Sequence, residues 1–137
     1  MHADDRIKLV LLLLRITVFA VMIVWTLDKF IAPDHAARVI GRFYLLPGLG
    51  ALTLYAIGAV QLAIVVAFLI GFKKTASTGL VLAMHTVSTL SSFNQYFTVF
   101  QGGNLLFWAA WPMLAACFAL FYLHDLDTMW SVDKPRS

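Results

Sequence analysis

Long apolar runs alternate with short polar connections along the chain. Four such runs extend from about residue 7 to 27, 49 to 72, 76 to 97 and 105 to 123. Each comes close to the roughly 20 residues with which an α-helix crosses the hydrocarbon core of a bilayer. A span in lipid must satisfy its own backbone hydrogen bonds, and unbroken apolar runs lack the alternation of a barrel strand. The pattern predicts an all-α integral membrane four-helix bundle, a single transmembrane domain over residues 1–137.

The composition excludes several other classes of protein. Of the 137 residues, 61% are hydrophobic and 12% are charged, whereas about one quarter of the residues in a water-soluble domain are charged. The net charge of +3 arises without any glutamate. In a membrane chain such a small basic excess reflects topology, so we expect a lipid bilayer as partner and no nucleic acid. The lone cysteine, Cys117, excludes a disulfide framework and a thiolate metal cluster.

Basic residues at the ends of the predicted spans indicate the orientation. With four crossings, the two termini and the turn at 73–75 share one side of the membrane. That side holds the basic residues Arg6, Lys8, Lys73, Lys74, Lys134 and Arg136, and the opposite side holds Lys29, Arg38 and Arg42. Because cytoplasmic loops carry the excess of lysine and arginine, both termini are predicted to be cytoplasmic.

The longest connection, residues 28–47, contains a helical pattern of its own. Pro33-Asp34 is a typical helix start. Beyond it, His35, Arg38 and Arg42 fall on one face, and Ala36, Val39, Ile40 and Phe43 fall on another. We predict a short amphipathic interfacial helix over residues 34–46 at the outer membrane surface. It either joins two spans and covers the end of the bundle, or forms a basic lid over a site that opens outward.

Polar side chains within the spans are informative because each one is costly in hydrocarbon. Arg15 lies about two turns into the first span, and no carboxylate occurs at a similar depth in any span. Arg15 must therefore snorkel to the headgroups or hydrogen-bond inside the bundle. Gln61 lies near the middle of the second span. In the third span one sector of the helix holds a polar stripe that should face the interior: Thr78, His85, Ser88, Ser92 and Gln95.

An intramembrane polar cluster is predicted from Arg15, Gln61, His85, Ser88 and Ser92. One interpretation is a hydrogen-bonded cluster that fixes the register of the helices. The other is a proton- or quinone-linked site in which His85 exchanges a proton near neutral pH. A haem is disfavoured, because no second histidine lies at the level of His85, and no metal ligand set is predicted.

A second group of polar and aromatic residues collects at the outer ends of the spans. We predict contacts to a ligand or a partner at the outer mouth of the bundle from Lys29, His35, Arg38, Arg42, Asn94, Gln95 and Trp108. Aromatic side chains at this level also suit an interfacial belt, and Trp108 fits both roles. Pro112 within the fourth span predicts a kink and a freed backbone carbonyl.

Several positions also match the pattern of a known family. Arg15, followed fourteen residues later by Lys29-Phe30, resembles the R…G…G..K-L first helix of the DoxX-like family of small four-helix bacterial membrane proteins. The segment Gly58-Ala-Val-Gln61 is similar to the Gly-x-x-Glu of its second helix. Leu126-Asp127 is similar to its terminal Leu-Asp, and a Pro-Gly before the second span is shared as well. The resemblance covers nearly the whole chain.

The chain departs from the family pattern at three positions. Phe19 and Thr26 stand at the two glycine positions of the first helix. Gln61 replaces the acidic residue of the second helix, which removes the most obvious intramembrane proton carrier.

The resemblance implies a bacterial cytoplasmic (inner) membrane and quinone-linked redox work, since some family members resemble subunits of quinone-linked oxidoreductases and many have no assigned activity. The first hypothesis is a subunit or accessory of such metabolism that binds a quinone or a small apolar ligand. A protein partner would carry any metal or flavin, or the chain would form a homo-oligomer. The alternatives are a structural or assembly subunit without its own chemistry and, third, a small transporter. Motifs of nucleotide and phosphate binding are absent from the sequence.

Overall fold

The computed structural model describes residues 2–133, and Lys134 and Arg136 of the charge argument lie outside this range. The described chain is all-α and contains no strand. Its helices are α1 (Ala3–Ile31), α2 (Pro33–Phe43), α3 (Ala51–Ile70), α4 (Lys74–Ser91), α5 (Phe93–Phe97) and α6 (Ala110–Tyr122), with a 3-10 helix (Asn104–Ala109) directly before α6. The all-α class predicted from the apolar runs is therefore confirmed.

Three helical segments are long and apolar enough to cross a membrane: α1, α3 and the continuous stretch Asn104–Tyr122. Much of their apolar surface faces outward, as shown by Val24 at 63% exposure, Leu52 at 82% and Val60 at 62%. Exposed apolar surface on this scale marks an interaction with a membrane or with another protein. Together with the helix lengths, it indicates a multi-pass membrane protein in contact with the lipid bilayer.

The long helices pack side by side in a closed ring. α1 packs against α3, α3 against α4, α4 against α6, and α6 against α1. Neighbours run antiparallel, since Gly58 of α3 lies beside Phe30 and Gly71, after α3, lies beside Arg15. The shared core consists of Leu11, Val18, Met22, Val65, Phe68, Val81, Cys117 and Leu120.

The two ends of the bundle differ. Residues 123–133 form what we call the tail segment. It lies at the same end of the bundle as the α3–α4 turn, and we call this end the tail end. The opposite end, the α2 end, carries α2 and α5. Helix α2 packs there through Ala36 and Ile40 against Leu54 of α3. A helix is thus present in the region predicted as 34–46, but it ends at Phe43, because Leu45 adopts a left-handed backbone conformation (φ 57°) that a right-handed helix cannot continue.

The third predicted span, residues 76–97, comprises two helices in the structure. Helix α4 ends at Ser91, and Ser92 leaves helical geometry before the short α5. Side-chain hydroxyls donate hydrogen bonds to backbone carbonyls near this end. Ser92 donates to the carbonyl of Ser88 at 3.1 Å, and Tyr96 donates to the carbonyl of Thr89 at 2.8 Å. The Thr89 carbonyl thus binds the Tyr96 hydroxyl and the backbone N–H of Ser92, rather than the N–H four residues on that would continue the α-helix.

Pro112, at which a kink is predicted, lies within the apolar stretch Asn104–Tyr122, close to a change of helix type. Pro112 lies in the first turn of α6, where the backbone N–H that proline lacks would have had no intrahelical partner. The change of helix type occurs before it, where the 3-10 helix passes into α6 between Ala109 and Ala110.

We expect Gly58→Ala to lower the unfolding temperature of the detergent-solubilised protein. The added Cβ would lie 2.8 Å from the ring of Phe30, and that ring is held by stacking on Tyr55 at 6.0 Å. Overpacking of this kind costs about 1–3 kcal/mol. Gly50→Ala is the control, because a Cβ there meets nothing within 4 Å. Equal unfolding temperatures for the two variants would contradict the packing described for α1 and α3.

Candidate functional site

Arg15 is buried at the tail end of the bundle, with only 1% of its surface exposed. Its Nη1 donates to Asp127 Oδ2 at 3.0 Å, and its Nη2 donates to the backbone carbonyls of Met129 and Trp130, the latter at 3.2 Å. No predicted span supplies a carboxylate at the depth of Arg15, and its partner comes instead from the tail segment, which folds back against the bundle.

Lys74 and the α3–α4 turn complete this arrangement. The Lys74 Nζ donates to the carbonyl of Asp127 at 2.8 Å, and its backbone N–H donates to Asp133 Oδ2 at 2.9 Å. A carboxylate at the N-terminus of α4 also compensates the positive end of the helix dipole. The backbone N–H of Val132 donates to the carbonyl of Ile70 at 2.8 Å. We call Arg15, Lys74, Asp127 and the backbone groups that they bind the Arg15 network.

Gly71 is required by the close packing inside the Arg15 network. It has a positive φ of 68°, and a Cβ there would lie 2.3 Å from Ser131 Oγ and 2.9 Å from Arg15 Nη1. Glycine meets both conditions, since it adopts left-handed geometry readily and leaves room for the two neighbours.

The charge balance in the Arg15 network is asymmetric. Burial raises the pKa of the Asp127 carboxyl above its ordinary value, and the positive charges of Arg15 and Lys74 oppose this shift. An arginine cannot relieve its own burial by releasing a proton, whereas a carboxyl can do so by taking one up. The Arg15 guanidinium is thus the group that most depends on its partners.

A separate cavity of about 580 Å³ lies between α1, α4 and the junction of the 3-10 helix with α6. Its walls include Trp25 of α1, His85 and Ser88 of α4, Ser92 directly after α4, and Phe107 and Met113 beyond. Trp25 is 45% exposed, and the neighbouring lining residue Leu106 is 78% exposed. The cavity therefore opens along the apolar side of the bundle rather than at its ends, and we call it the lateral groove.

His85 is the buried polar group of the lateral groove, with 1% of its surface exposed. Its Nε2 lies 2.9 Å from the carbonyl oxygen of Ala110 and 3.3 Å from Thr89 Oγ1. The Trp25 ring stacks on the imidazole with a centroid distance of 6.1 Å. Within residues 2–133 no hydrogen-bond partner lies near the buried Nδ1. The imidazole thus has one nitrogen engaged by the protein and one that is not.

The structure divides the predicted intramembrane cluster. His85, Ser88 and Ser92 meet in the lateral groove, while Arg15 belongs to the Arg15 network. Ten residues of α1, or about 15 Å along the axis, separate Arg15 from Trp25, which stacks on His85. Gln61 is half-buried on α3, and in the described part of the chain no hydrogen bond joins it to Arg15 or His85.

The basic residues predicted at the outer mouth have other neighbours. Lys29 Nζ donates to the carbonyl of Trp25 at 3.0 Å, and His35 Nδ1 lies 2.8 Å from the Asp28 carboxylate. Arg38 is exposed on α2. The Arg42 guanidinium lies 5.6 Å from the ring centroid of Phe43. These side chains lie on α2 or close to it, and they do not line the lateral groove.

The remaining residues predicted at the mouth lie on the α5 side. Asn94 is exposed, whereas Gln95 is buried and its Oε1 finds no partner among the described residues. Trp108 packs edge-on against Tyr96 at 5.5 Å. A different contact connects the α2 end with the lateral groove: the rings of Phe43 and Phe107 pack together with a centroid distance of 5.7 Å.

Sequence reasoning missed the roles of Asp127, Lys74 and Thr89. In the sequence, Leu126-Asp127 stands out only as part of the family pattern, and Lys74 only as a charge that bears on topology. Asp127 lies 53 residues from Lys74 and 112 residues from Arg15, so no local pattern signals their contact. Thr89 follows His85 by four residues, the spacing at which helix neighbours touch, so that pair could have been found.

Comparison of the chain with protein-family models, with curated proteins and with solved structures gives no match. The likeness to the DoxX-like family rests on the sequence positions quoted above.

We expect Asp127→Asn to destabilise the protein strongly. The substitution leaves the buried Arg15 guanidinium without its counter-ion, and removing one partner of a buried ion pair costs about 3–5 kcal/mol. Thermal or dodecyl-sulfate-induced unfolding of the purified protein measures the loss. Asp125→Asn makes the same chemical change two residues away at an exposed position. If both variants unfold alike, the tail segment does not stabilise the bundle in the way described.

Proposed function

We propose that this protein is a four-span protein of the bacterial cytoplasmic (inner) membrane that binds a quinone or a similar small apolar ligand in the lateral groove. In this role it serves quinone-linked redox metabolism as a subunit or accessory. The observation that carries the proposal is a groove of about 580 Å³ on the apolar side of the bundle with the imidazole of His85 in its wall.

The size and the lining of the lateral groove suit such a ligand. Sites for small molecules typically measure about 300–1,000 Å³ and combine apolar walls with a few polar groups that fix the orientation. Trp25 and Phe107 supply aromatic surface, and His85 with Ser88 supplies the polar groups. A quinone headgroup is a flat apolar ring with two oxygens, and its isoprenoid tail would remain in the lipid beside the mouth.

The four-span topology is proposed from the place of α4 in the ring of helices. Its 18 residues measure about 27 Å, close to the thickness of the hydrocarbon core. Its polar side chains Thr78, His85 and Thr89 are buried. A helix whose polar face is covered by α3 and α6 can cross without exposing that face to lipid. The basic residues of the tail end then lie in the cytoplasm.

The redox context is supported by the likeness to the DoxX-like family. In the proposed assembly a protein partner carries any metal or flavin, and this chain supplies the membrane-facing site for the ligand.

The topology predicts a specific labelling pattern. In a Cys117→Ser background, Gln101→Cys at the α2 end should react with a membrane-impermeant maleimide in intact spheroplasts. Ala76→Cys, exposed at the tail end, should react only after permeabilisation. Labelling of both positions from the same side would rule out a crossing by α4.

Ligand binding is tested by blocking the lateral groove. A short-chain benzoquinone should raise the unfolding temperature of the wild-type protein in lipid nanodiscs. Ala109→Phe should abolish the shift, because Ala109 lines the lateral groove and is exposed, so its enlargement fills the cavity without disturbing the core. Ala115→Phe, at an exposed position of α6, should retain the shift. A wild-type protein that shows no shift, or a shift that survives Ala109→Phe, would overturn the proposal.

A structural or assembly subunit without its own chemistry is the second candidate. It is favoured by a recess of about 1090 Å³ at the tail end, lined by charged side chains of both signs that include Lys8, Lys73 and Asp125. A protein partner could pair with these charges. In that case His85→Ala and Gln61→Ala would lower stability without a selective loss of ligand binding.

A further inference from the structure

The hydrogen bonds of His85 determine which of its two nitrogens carries a proton. A backbone carbonyl can only accept, so the 2.9 Å contact between Nε2 and the Ala110 oxygen requires a hydrogen on Nε2. Thr89 is consistent with this assignment. Its hydroxyl donates to the carbonyl of His85 at 2.7 Å, which leaves its oxygen as an acceptor toward Nε2 at 3.3 Å.

The other nitrogen of the ring is therefore an acceptor. A neutral imidazole with its proton on Nε2 carries a lone pair on Nδ1. This nitrogen is buried, and in the described part of the chain no donor reaches it. A buried polar atom without a partner is unfavourable, so the bundle is stabilised by any ligand that brings a donor to this position.

We propose that the lateral groove is selective for ligands that carry a hydroxyl on an aromatic ring, such as a quinol or a phenol, with the O–H donated to His85 Nδ1. This inference rests on the function proposed above and deepens it, because it separates the reduced from the oxidised form of the ligand. The carbonyl oxygens of a quinone have no hydrogen to donate. The inference concerns binding alone, and no covalent bond forms or breaks.

The surroundings of His85 agree with an aromatic occupant. Trp25 lines the lateral groove, stacks on the imidazole and is 45% exposed, so its ring is placed to stack on an aromatic ligand as well. The Ser88 hydroxyl, also in the wall, can donate or accept. Ser88 can therefore hydrogen-bond the second oxygen of the ligand in both the quinone and the quinol form. The preference for the quinol comes from His85.

The test compares three ligands with the same ring substituents and tail on the wild-type protein in nanodiscs under anaerobic conditions. They are a short-chain benzoquinol, the corresponding benzoquinone and the dimethyl ether of the quinol, and titration calorimetry gives the dissociation constants. We expect the quinol to bind about tenfold more tightly than the other two, the factor that corresponds to one hydrogen bond of ordinary strength. The ether controls for ring electronics, since it resembles the quinol but lacks the donor.

Substitution of His85 provides a second readout. In His85→Leu the preference for the quinol should disappear while the benzoquinone still binds, and Ser91→Ala, on the same helix but outside the lateral groove, should keep the preference. Because the three ligands are compared on the wild-type protein, the test stands even where His85→Leu does not fold. Equal affinities for quinol, quinone and ether would overturn the selectivity and leave the lateral groove as a general apolar site. Failure of all three to bind, or their displacement by phospholipid alone, would overturn the proposed function as well.

Discussion

The burial of one guanidinium constrains the whole tail end of the molecule. Arg15 sits in the middle of an apolar helix where neither lipid nor core can solvate it, and it cannot give up its charge. Its Nη1 and Nη2 donors bind Asp127 and backbone carbonyls from the tail segment, so residues far from α1 in sequence fold back against it. This return in turn needs the tight turn at Gly71 and the ammonium group of Lys74. Helix packing, turn geometry and the path of the tail segment thus follow from one charge.

The polar residues of the bundle fall into two groups with different physical tasks. The Arg15 network balances charge: Arg15 Nη1 and Nη2 and Lys74 Nζ donate within the chain, whereas Arg15 Nε and Asp127 Oδ1 have no partner among the described residues. The lateral groove contains neutral polar groups, and there His85 Nδ1 is left without a partner in the described chain. A buried ion pair balances its own charges, whereas an unpartnered neutral acceptor beside a cavity is available to a ligand. About 15 Å along α1 separates Arg15 from Trp25, which stacks on His85, although Thr17 and Val18, close to Arg15 in sequence, also line the lateral groove.

Much of the architecture could be read from periodicity, because apolar runs and helix signals are local. The runs at 7–27 and 49–72 correspond to α1 and α3, and the amphipathic pattern after Pro33 corresponds to α2. The C-terminal end of α4 could not be placed in this way, since there Tyr96 of α5 binds the backbone carbonyl of Thr89. Within the site, the polar stripe is buried at His85 of α4 and at Ser92, directly after α4. Gln61 and Arg15 are also polar, but they do not lie beside the polar stripe. A similar predicted depth in the membrane does not imply contact between side chains.

The sequence alone determined that this chain forms apolar helices of membrane-spanning length and that α4 turns a polar face inward, since both properties depend on residues a few positions apart. The tertiary structure alone decided which groups meet. Asp127 reaches Arg15 across 112 residues of chain. The acceptor for His85 is a backbone carbonyl at Ala110, for which no side chain gives a signal. Such pairings arise only when packing brings distant segments together, because a buried donor must take whichever acceptor lies within reach.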